Sequence, residues 1–115
     1  MNHSLTIEKS IDTNEVLVIR VGGRLDSRGA IVLREYCTPH LGTKRCLVLS
    51  LRDATFLSSG GVGALLALTE AAKETGGTLH IAEVGGAVLS TLALLHLDEY
   101  LSLHETEQQA ILTGR

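Results

Sequence analysis

Tryptophan is absent, phenylalanine occurs once, and aromatic residues make up 3% of the 115-residue chain. A single-stranded nucleic-acid binder needs aromatic platforms for its bases, so that class is not expected. Positive charge is also scarce. Ten Lys and Arg stand against thirteen Asp and Glu, for a formal net charge of −3. There is no basic footprint for a phosphate backbone, and Lys44-Arg45 reads as a turn pair rather than a patch. The only cysteines, Cys37 and Cys46, are too few for a disulfide scaffold and are not spaced as zinc ligands. A reduced, cytoplasmic setting is therefore expected. No apolar run approaches the roughly 20 residues that cross a bilayer; the longest candidate, Ala87 to Leu97, contains Ser90, Thr91 and His96. Direct membrane insertion is not expected. Met1-Asn2-His3-Ser4 lacks the basic head and apolar run of a signal peptide. The five histidines (His3, His40, His80, His96 and His104) show no metal-ligand spacing and read as surface or rim residues, with His80 partly buried in a strand.

What the chain does have is aliphatic material. Hydrophobic residues reach 44%, and Leu, Val, Ile and Ala must fill the core of one domain spanning residues 1–115. Leu5-Thr6-Ile7-Glu8 alternates as a half-buried strand does, and Asp12-Thr13-Asn14 reads as a turn. In "EVLVIRV", Glu15 to Val21, residues Leu17, Ile19 and Val21 share one face while Val16, Val18 and Arg20 share the other. Gly22-Gly23 is expected to end that strand. Asp26 or Ser27 caps a helix beginning near Arg28, with an apolar stripe of Ile31, Leu33, Tyr36 and Leu41 that Pro39 interrupts. "CLVLSL", Cys46 to Leu51, suits a central strand. Val62, Leu65, Leu66 and Thr69 give a second helix, stopped by Gly76-Gly77. "TLHIA" is a further strand, and a third helix carries Val88, Leu89, Leu92 and Leu95. Leu101 to His104 is a short edge strand. Thr106 to Gln109 forms a capping box for the last helix. The order ββαβαβαβα predicts an α/β fold: a mixed sheet of four or five strands, largely parallel, packed with about four helices.

The segment "FLSSGGVGALL", Phe56 to Leu66, joins a strand-like run to a helix-like one. It matches no catalytic loop. A nucleophile elbow around Ser59 requires glycine at position 57, where Leu57 stands. A dinucleotide fingerprint from Gly61 requires glycine where Leu66 stands, and no Gly-Lys-Ser/Thr follows. Two readings remain. The serines cap the helix by accepting its free amides. Alternatively, the positive helix terminus makes an anion or phosphorylation site, with Gly60 and Gly61 letting a partner approach closely.

"LSLRDATFLSSGGVGALL" resembles the signature of the STAS superfamily, in particular of the anti-sigma factor antagonists. That pattern is an apolar strand, a short loop, then Asp-Ser-Ser-Gly-Leu or Ser-Ser-Ala-Gly-Leu opening a helix. "GRLD", Gly23 to Asp26, is similar to the family's Gly-Glu-Leu-Asp, and "EQQAILTG" to its final helix. The likeness spans the chain, so a single STAS-like domain over residues 1–115 is implied. By this resemblance Ser59 takes the place of the serine that is phosphorylated, with Ser58, which stands for the family's Asp, as a second acceptor. The implied partners are an anti-sigma factor that doubles as an ATP-dependent serine kinase, and a metal-dependent serine phosphatase. The unmodified antagonist binds the anti-sigma factor and frees the sigma factor. The implied partner-binding residues are Gly23, Arg24, Asp26, Ser58, Ser59, Gly60 and Gly61. The sequence departs from the family at Ser58 for Asp, Gly60 for Ser or Ala, Arg24 for Glu, and Ser50 where many members have Asp.

A second role within the superfamily stays open. Small STAS subunits of lipid-transport ATP-binding cassette systems carry an Asp-Thr-Gly-Gly loop close to "SSGG". An enzyme is not expected, because no base, metal set or nucleotide loop accompanies the serine. No cofactor, metal or catalytic residue is expected.

Overall fold

The computed structural model describes residues 5–114; Met1 to Ser4, including His3, lie outside them. The organising element is β2 (Val16–Leu25), whose alternation is realised as drawn from the sequence. Leu17, Ile19 and Val21 enter the larger core, and Val16 and Val18 enter a smaller one on the opposite face of the sheet. β1 (Thr6–Asp12) folds back on β2 as an antiparallel hairpin partner. The remaining pairings are parallel. β3 (Cys46–Ser50) lies beside β2, β5 (Thr78–Ala82) beside β3, and the two-residue β6 (Leu103–His104) beside β5. Every residue of β3 is buried, as expected for an apolar strand covered on both faces.

Two expectations about this sheet need correction. Gly22-Gly23 does not end β2. The strand continues to Leu25, and Gly23, at φ +84°, marks a shift in register there. Only glycine takes up that backbone conformation without strain. The extension is used by a sixth strand, β4 (Ala54–Leu57), which pairs parallel with Gly23, Arg24 and Leu25 of β2 and lies off the main strand order β1-β2-β3-β5-β6.

Three helices cover one face. α1 (Ser27–Cys37) buries Gly29, Ala30, Leu33 and Cys37. It passes into a 3-10 turn, Thr38–His40, at Pro39. Ile31 points outward, 59% exposed, and so is not part of the stripe. Residues 30, 33 and 37 keep the helical spacing of three and four, and residue 31 is out of phase with them. α2 (Ser59–Glu74) buries Val62, Leu65, Leu68, Thr69 and Ala72, with Leu66 only partly buried at the margin. α3 (Gly86–Leu94) buries Val88 and Leu92, while Leu89 and Leu95 face outward. Among the described residues the other face carries only α4 (Glu107–Gly114), which places Ala110 against Val16, Val18, Cys46, Val48 and Ala82. Thr106 Oγ1 accepts the Gln109 amide at 3.0 Å, as its capping box requires. Both cysteines are free and buried, Cys37 in the larger core and Cys46 in the smaller. His80 is not a rim residue: it is buried beneath α4. No helix among the described residues is long and apolar enough to cross a membrane.

Candidate functional site

The parallel pairing of β2 with β4 delivers two chain segments to one corner of the molecule. Arg24 lies opposite Phe56 and Leu25 opposite Leu57. Each strand then runs directly into a helix cap. Asp26 caps α1, its Oδ1 accepting the Gly29 amide at 2.9 Å. Ser58 caps α2, its Oγ accepting the Gly61 amide at 3.3 Å. The Ser58 amide also donates to the Leu25 carbonyl at 3.1 Å, which ties the second cap to the first strand. Capping residues of this kind satisfy amides that the helix itself leaves unpaired.

The two helix starts touch. A Cβ on Gly60 would come within 2.9 Å of Ser27 Oγ, and a Cβ on Gly61 would collide with the Leu25 carbonyl oxygen and side chain. Gly60 and Gly61 therefore have an intramolecular reason to be bare. Gly61 is buried and offers no surface to a partner. The open glycine is Gly63, exposed one step further along, with nothing near its Cβ position. With the helices side by side, the partial positive charge of two N-termini converges on one surface. Ser59 is the first helical residue of α2 and is exposed, whereas Ser58 is half-buried with its hydroxyl engaged in the cap.

Charged side chains frame this corner. The Arg24 guanidinium carbon stacks 3.9 Å above the Phe56 ring, and Arg24 Nε lies 3.8 Å from Asp26 Oδ2. The Gly29 amide, and secondarily Arg24, hold the Asp26 carboxyl below the ordinary carboxylate range. Asp26 is thus a weak base. Thr55 Oγ1 donates to the Gly23 carbonyl at 3.1 Å, and the Gly23 amide to the Asp53 carbonyl at 3.0 Å, which fixes the bulge from both sides.

Of the residues singled out in the sequence, Gly23, Arg24, Asp26, Ser58, Ser59 and Gly60 meet at this corner, with Gly61 packed beneath it. Ser50 does not join them. It is buried on the α4 side of the sheet, where its hydroxyl finds no partner among the described residues. Phe56 and Ser27 belong to the corner and were not anticipated. The signal for Phe56 was that the chain's one phenylalanine sits two residues before the serine pair. No group of three or more His, Cys, Asp or Glu side chains among the described residues is arranged to hold a metal.

The STAS domain model matches residues 8–110 of the chain. The anti-sigma F factor antagonist of Paenibacillus polymyxa is 26% identical over 98 residues, covering 84% of each chain. In three dimensions the chain is similar to an anti-sigma factor antagonist from Mycobacterium paratuberculosis, with a TM-score of 0.85 and 26% identity over 100% of this chain and 97% of that one. It also shares its fold with the phosphorylated form of the Bacillus cell fate determinant SpoIIAA, at a TM-score of 0.73 and 20% identity over 96% of this chain and 100% of that one.

Proposed function

This chain belongs to the STAS domain family, and from that premise we propose that it acts as an anti-sigma factor antagonist switched by phosphorylation of Ser59. In its unmodified form it binds an anti-sigma factor that carries serine kinase activity, and the sigma factor is freed. A phosphate on Ser59 ends that binding, and a metal-dependent phosphatase restores it.

The observation that carries this reading is the division of labour between two adjacent serines. Ser58 is half-buried, its hydroxyl accepts the Gly61 amide and its own amide is tied to Leu25, so its hydroxyl is already engaged within the fold. Ser59 is exposed at the first turn, so a kinase can reach its hydroxyl with the domain folded. The paired helix termini accommodate the added charge, and the effect on folding is small, about 1 kcal/mol. At an interface the same charge is costly. A partner surface shaped around a neutral hydroxyl meets a doubly charged group at its centre, and a buried, imperfectly paired charge costs several kcal/mol, equivalent to about a hundredfold or more in affinity. The corner lacks the means for its own turnover. The carboxylate between the two helix starts, Asp26, is committed to the α1 cap and has a lowered proton affinity.

The test is phosphosite mapping after incubation with the partner kinase and ATP, alongside affinities for the anti-sigma factor. Ser59→Ala should resist phosphorylation and retain binding. Ser59→Asp should bind at least about tenfold more weakly, and Ser58→Ala should still be modified. Normal phosphorylation of Ser59→Ala, or full affinity of Ser59→Asp, overturns the switch. Capture of a transport ATPase in place of the anti-sigma factor overturns the role.

A further inference from the structure

The seat of α4 contains a histidine pair whose proton count is constrained by geometry. His80 on β5 is 5% exposed. Its Nδ1 lies 2.9 Å from Nε2 of His104 on β6. Its other nitrogen, Nε2, is buried with no hydrogen-bond partner among the described residues. The last turn of α4 presses on that nitrogen: a Cβ on Gly114 would come within 2.8 Å of it and would collide with the Cys46 sulfur.

Two neutral imidazoles facing nitrogen to nitrogen share a single proton. A buried, unpaired N–H is costlier than a bare lone pair. The favoured tautomer therefore has His80 donating from Nδ1 to His104, with a lone pair at the buried Nε2. Protonating His104 sets a second N–H against the first. His80 must then switch tautomer: its single N–H proton leaves Nδ1 and is carried on Nε2, unpaired under Gly114. A further proton leaves two N–H groups opposed across the same gap.

Among the described residues the surroundings give no relief. Glu107 is the only titratable side chain of α4, and both its oxygens are taken by Arg20 of β2, at 3.0 and 3.2 Å. β3 presents the Cys46 thiol, which burial keeps protonated. β6 presents His104 itself. Against this, α4 buries only Ala110 and Gly114.

We propose that the His80–His104 pair is an acid-sensitive latch: in mild acid its protonation releases α4 from the sheet while the rest of the domain stays folded. Burial, and secondarily the neighbouring His104, hold the proton affinity of His80 below the ordinary value of 6.5. The folded state therefore prefers the neutral ring. The stabilisation is complete above 6.5 and is lost as pH falls through the lowered value. The latch involves none of the residues of the phosphoacceptor corner, so it stands or falls separately from the proposed switch.

The cysteines provide the test. Cys46 lies under α4, and Cys37 lies in the opposite core. The full chain is labelled with dithiodipyridine at about pH 7.5 and about pH 5.0, where histidine titrates, and modification is read by peptide mass spectrometry. Using the Cys46-to-Cys37 ratio cancels the change in thiolate fraction. In acid the ratio should rise about tenfold, about 1.4 kcal/mol in the release of α4. His104→Gln, which keeps a hydrogen-bonding partner that does not titrate, should lose most of that rise. A flat ratio, a parallel rise at Cys37, or an undiminished rise in His104→Gln overturns the latch. Imidazole NMR titration of the wild type is a second measurement that needs no variant. Loss of α4 amide protection should accompany protonation of the pair, and protonation with α4 fully protected overturns the proposal.

Discussion

At the scale of single residues, the corner is defined by what has no side chain as much as by what has one. Gly61 sits where any Cβ would strike the Leu25 carbonyl oxygen, while Gly63, two residues later in the same helix, faces open space. The same substitution should therefore have opposite signs at the two sites. Gly61→Ala should destabilise the fold by about 2–4 kcal/mol, because backbone must move to admit the methyl group. Gly63→Ala should stabilise it by up to about 1 kcal/mol, through helix propensity and a less flexible unfolded chain. Urea midpoints of the two variants check both signs. The glycines of "SSGG" are easily read from sequence as leaving room for a visitor. The contact of Gly60 with Ser27 and the burial of Gly61 depend on a neighbouring helix that no local pattern announces.

At the scale of elements, α2 is the most informative. Leu65 is fully buried in the larger core and Leu66 lies at its margin. Leu65→Asp should cost more than about 4 kcal/mol and leave the chain largely unfolded, since an unpaired charge would enter the core. Leu66→Asp can turn its carboxylate toward water and should cost about half as much or less. Circular-dichroism melts of the pair separate them, and equal losses would contradict the phase of α2. Phase is also where sequence reading succeeded and failed elsewhere. β2 was legible because a β-branched, almost wholly apolar run reads as a strand, and the period of two then separates Leu17, Ile19 and Val21 from Val16, Val18 and Arg20. α1 was misread at Ile31 because three apolar residues in a row, Ile31 to Leu33, do not reveal which one continues the spacing to Cys37. β4 was not legible as a strand. It has four residues, only Leu57 of them buried, and its ladder partner is the far end of β2. That pairing is set by tertiary structure, and it is what brings Arg24 over Phe56. Most residues that meet at this corner, though not Phe56 or Ser27, were thus readable from their motifs, but their arrangement was not.

At the scale of the whole molecule, the two faces of the sheet answer differently to acid. The larger core is aliphatic. The smaller one is bordered by the Arg20–Glu107 ion pair. The Arg20 guanidinium holds the Glu107 carboxyl below its ordinary value of 4.5. That ion pair contributes stability above this value, and the contribution is lost as pH falls through the lowered one. Urea denaturation from about pH 8 to about pH 3.5 should therefore show a second decline, below the histidine window, that belongs to Glu107. Arg20→Met should lower stability at neutral pH and flatten that second decline, because an unpaired, partly buried carboxylate no longer gains from ionising. A decline of unchanged depth in Arg20→Met would assign it to other carboxylates.

The pairing of β2 with β4 also has a consequence in time. Only the β1–β2 hairpin is local. Val16 meets Cys46, and Leu25 meets Leu57, after long excursions of the chain. Contacts between residues so distant in sequence form slowly, since the loop must close before any pairing rewards it. The two caps become neighbours only when β4 reaches the end of a strand already held by β1 and β3. A chain emerging during synthesis therefore carries its serines long before it carries a recognisable surface around them, and any enzyme or partner that reads the corner reads the finished fold.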